Sequence, residues 1–181
     1  QYEEYLSQGG KLSLSEWRIT KVNSFVSALY SAVKSVDENL TVSISPAADT
    51  ESNKNELFAD CELWLSAEGY ADMIIPQIYF GFNHDTLPFR KTLEKWGDLE
   101  RNPAVTLACG IAAYKCDDTY SYSDESEMID WQSRDNNLAL QVSKIRENKN
   151  YGGFVIFSYS NLTDENCREE ISNLIKTVTE T

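Results

Sequence analysis

Gly69-Tyr-Ala-Asp-Met-Ile-Ile-Pro-Gln-Ile-Tyr-Phe-Gly-Phe82 is the stretch from which the fold is read. Glycine takes positive φ without a Cβ penalty, so Gly69 suits the end of a helix. Met73 to Phe80 then reads as a strand apolar on both faces, the pattern of a parallel strand with helices over it. Pro76 runs against a central position because it has no N–H to give a neighbour; a bulge or fading pairing would accommodate it. Gln77 and Tyr79 are two apart and share one side of the strand. Two readings stand for them: polar groups presented to a ligand from the end of a buried strand, or a Gln and a Tyr hydrogen-bonded within the core.

Outward from this stretch the chain alternates. Residues 1–12 form a polar lead-in, and 13–181 a single domain. Ser13 and Glu16 have capping-box spacing, and Trp17, Val22, Phe25, Val26, Leu29, Tyr30, Val33 and Val36 make one apolar stripe of a long helix. A strand follows near 40–45, stopped by Pro46, and then a polar loop over 47–55. A helix is expected from about Glu56 to Ala67, ahead of the strand at 71–80. Pro88 fits the first turn of a helix reaching about Glu100. Further strands are expected near 105–114 and 154–159, separated by an acidic loop from Lys115 to about Asp130 and a helix from Ser133 to Glu147. Asp164 caps the final helix. One helix followed by four strand–helix units implies an α/β fold with a parallel sheet in chain order. Four such units make either a small open sheet or half of an eight-stranded barrel. The small residues Ala108, Gly110, Ala112 and Ala113 suit a crowded surface such as a barrel interior.

Composition narrows the function classes. A chain of 181 residues with 41% hydrophobic and 12% aromatic content builds a real core and is not disordered. A net charge of −13 argues against nucleic acid or an anionic membrane surface as partner. No apolar run reaches the ~20 residues needed to span a bilayer, and no export signal opens the sequence. Cys61, Cys109, Cys116 and Cys167 match no zinc or redox spacing. An even count permits disulfides, but the reading is free, mostly buried thiols. No glycine-rich phosphate loop follows a strand, and neither a cofactor nor a metal is expected.

Several short motifs occur in a specific order: Leu14-Ser-Glu16-Trp17-Arg18 leading to Val22-Asn23, Ile44-Ser45-Pro46, Gly69-Tyr-Ala-Asp, and Pro76-Gln77-Ile78-Tyr79-Phe80-Gly81-Phe82. Thr86-Leu87-Pro88-Phe89 and Gly153-Phe154 with Phe157-Ser158-Tyr159 complete the set. Together they resemble the bacterial glycosyl-hydrolase-like family related to family 10 glycosidases, exported TIM-barrel proteins linked to cell-wall glycan. In that family four strands precede the Trp-Arg helix, and an acidic motif closes the fourth. The resemblance therefore implies the second half of a (β/α)8 barrel, strands five to eight. It implies an extracellular or cell-surface place and a glycan substrate. The uncovered half is expected to be completed by a second copy in a homodimer or by the missing N-terminal half.

By position in that family, Ser45 ends strand five, Gln77 and Tyr79 end strand six, and Ser158 and Tyr159 end strand eight. Tyr114 lies at the end of the strand between. Barrel active sites lie at the carboxyl ends of the strands, so these residues would line the substrate cleft. His84, in the loop after strand six, is a candidate to bond a sugar hydroxyl, with a plain surface role as the alternative. Trp17 is expected to pack, and Arg18 to reach toward a carboxylate of the other half. Glycoside hydrolysis needs two carboxyl groups flanking the scissile bond. Asp117 is the candidate for one, with Asp118 beside it. Glu125 and Glu127 read with them as surface charge on a solvated loop. Two functions follow: a glycosidase piece that supplies substrate contacts, or a non-catalytic glycan-binding or structural α/β domain.

Overall fold

A computed structural model describes residues 1–117 and 119–180, and Asp118 and Thr181 fall outside it. Four strands form one parallel sheet in the order β1 (Ser43–Ile44), β2 (Met73–Ile74), β3 (Thr106–Ala112) and β4 (Gly153–Phe157). The helices are α1 (Tyr2–Ser7), α2 (Leu14–Val36), α3 (Thr50–Asn55), α4 (Cys61–Ser66), α5 (Phe89–Gly97), α6 (Glu125–Gln132), α7 (Asn137–Glu147) and α8 (Arg168–Thr179). The chain-order parallel sheet matches the expected α/β class and is compatible with half a barrel.

The central strand is shorter than the 71–80 expected, and Pro76 is the reason. Ile75 and Gln77 still donate to the Ile44 and Pro46 carbonyls, and Pro76 still accepts from Gly110, but it has no N–H of its own to give. Pairing resumes at Gln77, which bridges both Ala47 and Gly110. The register therefore runs unbroken through the proline. Gly69 has φ +86°, but α4 already ends at Ser66 with an extended cap at Ala67, so the glycine turns the chain between α4 and β2 rather than ending the helix.

Three segments differ from the expectation. Residues 47–67 are not a loop followed by one helix but two short helices, with Asp49 capping α3 and Phe58 at φ +57° turning the chain between them. Buried Asn53 bonds both the N–H and the carbonyl of Ala47, which fixes the turn after β1. The acidic loop carries a 3-10 turn, Ala113–Cys116, and then α6, capped by Asp124, so α6 and α7 replace the single helix expected from Ser133. The lead-in contains α1, whose Tyr2 and Tyr5 pack around Trp17.

The capping box at Ser13 forms as read, yet the stripe of α2 buries unevenly. Val26 is buried, whereas Phe25 (67% exposed), Leu29 and Val36 face outward. The inward side is held by polar ties. Tyr30 and Lys34 both meet Asp72, which also accepts from the Val42 N–H, and Asn23 accepts from the Trp64 indole. Arg18 lies over the Phe58 ring, 4.9 Å from its centroid.

The sheet has two unlike faces. Ile44, Ile74, Leu107, Cys109, Ile111 and Ile156 belong to the core beneath the helices. The opposite face carries Ser45, Gln77, Gly110, Ala112, Val155 and Phe157, in cross-strand layers such as Ala47–Gln77–Gly110–Val155. All four cysteines are free thiols, with Cys61, Cys109 and Cys167 buried as expected.

At the α7–α8 junction, buried Glu170 accepts from the Leu138 N–H. Burial pushes its carboxyl up to about 7, against that hydrogen bond and with help from Asp135. A carboxyl whose folded pKa exceeds its unfolded value costs stability once ionised, so its contribution falls as pH rises from about 4.5 to 7. Glu170→Gln, which cannot ionise, should leave stability unchanged near pH 4. It should gain about 2–3 kcal/mol over the parent above pH 7. Urea unfolding of both proteins across this range checks it; a difference independent of pH would contradict the assignment.

Candidate functional site

Three rings meet where β2, β3 and β4 end. Tyr79 stacks on Phe157 with centroids 5.8 Å apart and planes inclined by 18°. Tyr114 meets Tyr79 at 6.1 Å and Phe157 at 6.2 Å, edge-on to both. The sequence explains how. Phe157 pairs with Ala112, and two residues before it Gln77 bridges Gly110, so Tyr79 and Phe157 flank β3 from opposite sides. Alternate strands lie about 9.5 Å apart, and only small residues on β3 let the two rings lean together above it. At Gly110 the fit is tight: a Cβ there would stand 3.0 Å from the Pro76 carbonyl and 3.2 Å from the Tyr79 ring. Tyr120 packs on Tyr114 and Tyr122 on Tyr120, which extends the aromatic surface along the following loop.

Phe157 remains 55% exposed. Burial raises the pKa of the Tyr79 phenol and pushes that of Tyr114 up to about 12, so both stay neutral donors across the physiological range. The surface is thus apolar in its ring faces and uncharged in its hydroxyls.

The other sequence-read residues lie around it. Gln77 donates its amide to the Ser45 carbonyl at 3.1 Å, which ties the ends of β1 and β2 together. Ser158 opens the 3-10 turn Tyr159–Thr163 and bonds Ser160 and Asn161. Tyr159, the first residue of that turn, is 79% exposed. His84 uses Nδ1 to accept from the Thr86 and Leu87 N–H groups, and its ring rests 4.5 Å from that of Phe80. Its Nε2 faces Asp124 at 3.9 Å. Asp117 accepts from the Thr119 N–H and hydroxyl and from Asn166, and these bonds hold its carboxyl below the usual range. An acid so held is ionised near neutrality, which suits a base or nucleophile rather than a proton donor.

Glu127 departs from its reading as surface charge. It is 2% exposed, pairs with Lys115 at 2.7 Å, and accepts from the Gly81 N–H at 2.7 Å. Asp130, 1% exposed, accepts from the N–H groups of Phe82 and Asn83, from the Asn83 amide and from Arg134. Both acids sit on α6 and hold the loop after β2, while Lys115 lies under the rings of Phe80 and Tyr120. The signal was in the sequence: Asp124-Glu-Ser-Glu127 has capping-box spacing, which marks a helix where a loop was read. Among the described residues no cluster of His, Cys, Asp and Glu is arranged to hold a metal ion.

Known proteins are similar to this chain in sequence. Residues 1–130 match the family model described as glycosyl hydrolase-like 10. The chain is 28% identical to the glycosyl hydrolase YngK of Bacillus subtilis strain 168 over 146 residues, covering 71% of this chain. It is 27% identical to the glycosyl hydrolase DigH of Escherichia coli K12 over 128 residues, covering 62%. These matches span only 28% and 29% of the relatives' own lengths.

The buried pair makes a specific demand on stability. Removing one partner strands the other charge, whereas removing both leaves an apolar gap. Lys115→Met should therefore cost about 3–5 kcal/mol in urea unfolding, and Lys115→Met with Glu127→Leu distinctly less. Additive losses in the double variant would show that the pair is not coupled.

Proposed function

The chain belongs to the glycosyl hydrolase-like 10 family, and from that membership we propose that it binds glycan across the carboxyl end of its sheet. The observation that carries this reading is the Tyr79–Tyr114–Phe157 triangle. Sugar rings present C–H faces between polar rims, and a neutral aromatic surface with phenol hydroxyls matches both. In this reading Ser45, Gln77, Ser158, Tyr159 and His84 supply the polar contacts of the cleft.

In this reading the four strands are strands five to eight of a (β/α)8 barrel, and the face carrying Ser45, Val155 and Phe157 is the inner wall. The first half comes from a longer polypeptide or from a second copy in a homodimer. Three features support completion: bare Phe25, Leu29 and Val36 on α2, the exposed inner-wall side chains, and outer edges of β1 and β4 that pair with no further strand among the described residues. The whole protein acts outside the cell as a glycosidase on cell-wall or related polysaccharide. Asp117, ionised, serves as one carboxylate, and the proton donor belongs to the first half.

The second reading, a non-catalytic glycan-binding domain, draws on the engagement of the acids. Asp117 is tied to Thr119 and Asn166, and Glu127 and Asp130 are consumed by the loop after β2. Both readings require binding, and they differ in turnover.

Calorimetric titration with soluble β-1,4-linked N-acetylglucosamine oligomers tests the shared claim. Tyr79→Ala and Phe157→Ala should each weaken binding by about tenfold, equal to ~1.4 kcal/mol. Unchanged affinity in both would remove the ring triangle from the site. A reducing-end assay separates the two readings: this chain alone should release no ends, and a polypeptide extended by the first half should release them. An inactive extended protein that still binds would favour the non-catalytic domain.

A further inference from the structure

Two of the four thiols face each other across one carbonyl. Cys116, the last residue of the 3-10 turn after β3, places its Sγ 2.6 Å from the Ala113 carbonyl oxygen. Cys167, the last residue of the 3-10 turn Glu165–Cys167, places its Sγ 3.8 Å from the same oxygen. Both sulfurs therefore converge on one oxygen. The same two turns are joined a second time where Asn166 donates to Asp117 at 3.3 Å. The two turns thus meet both at a shared carbonyl and at a side-chain hydrogen bond, which brings the two sulfurs to the same oxygen.

We propose that Cys116 and Cys167 form a reversible disulfide that locks the Asp117 turn to the segment leading into α8. Cys116 is the entry point, being partly accessible where Cys167 is buried. Its thiolate attacks a sulfur of a small disulfide oxidant, forming a mixed disulfide and releasing one thiol. The Cys167 thiolate then attacks Cys116 Sγ, the protein disulfide forms, and the second oxidant thiol leaves. Two cysteine thiols are oxidised, one external disulfide is reduced, and the two protons end on the released thiols. Burial raises both thiol pKa values, so the reaction is slow at neutral pH and quickens in mild alkali. The enclosed loop of about 50 residues makes the link a strong constraint on the unfolded chain.

The proposal does not depend on glycan binding. Its test is incubation of the purified protein with oxidised glutathione at pH 8.5, quenching with an alkylating agent, and non-reducing peptide mapping. The expected product joins the Cys116 and Cys167 peptides, leaves Cys61 and Cys109 alkylated after unfolding, and raises Tm by roughly 5 °C or more. Dithiothreitol should reverse the shift, and Cys116→Ser should abolish it. Glutathione retained on Cys116, a link through Cys61 or Cys109, or no reaction would each overturn it; mapping of the unaltered protein decides this even where the variant does not fold.

Discussion

Glu127 and Lys115 bury opposite charges against each other between the end of β3 and α6. Taking two ions out of water is costly, and the cost is offset only when the geometry is close and every remaining lone pair is used. Here the same carboxylate oxygen also accepts from the Gly81 N–H, and Asp130 one turn later captures the next two N–H groups. The polypeptide after β2 has no regular structure to absorb those donors, so the acids of α6 act as its missing partners. The consequence reaches the site: Phe80, Tyr120 and the ring triangle rest on a loop pair fixed by charge as well as by packing. A segment that looks like solvated acid in the sequence is thereby the brace of the sheet's carboxyl end.

Much of the fold was legible for physical reasons. The alternation of apolar runs with turn residues gave a parallel sheet in chain order, and the Ser13–Glu16 spacing located the start of α2. The small residues of β3 were read as lining a crowded surface, and Gly110 does meet the Pro76 carbonyl and the Tyr79 ring. The misreadings share a cause. Residues 47–67 were parsed by apolar periodicity, which does not register a helix as polar as α3 or the left-handed turn at Phe58. Acidity at 124–130 reads as exposure because periodicity says nothing about which charges find buried partners.

At the site, same-side placement of Gln77 and Tyr79 follows from strand geometry alone, but their separate engagements do not. Gln77 bonds the Ser45 carbonyl, and Tyr79 joins an aromatic surface open to solvent at Phe157. Phe157 itself was quoted only as part of a motif. Its role depends on the register that sets it opposite Ala112, and register between strands 45 residues apart is not written in either one. The asymmetry of α2, buried at Val26 and bare at Phe25, was hidden in the same way. A stripe announces that a face will be covered without saying by what.

The central claim is that the ring triangle at the carboxyl end of the sheet is where sugar sits. The most direct measurement is a crystal structure of the protein soaked with an N-acetylglucosamine oligomer. A pyranose ring should stack against Phe157 or Tyr79, with hydroxyls toward Gln77 or Tyr114. Sugar bound at the amino end of the strands or on the helical layer, with the triangle empty, would contradict it.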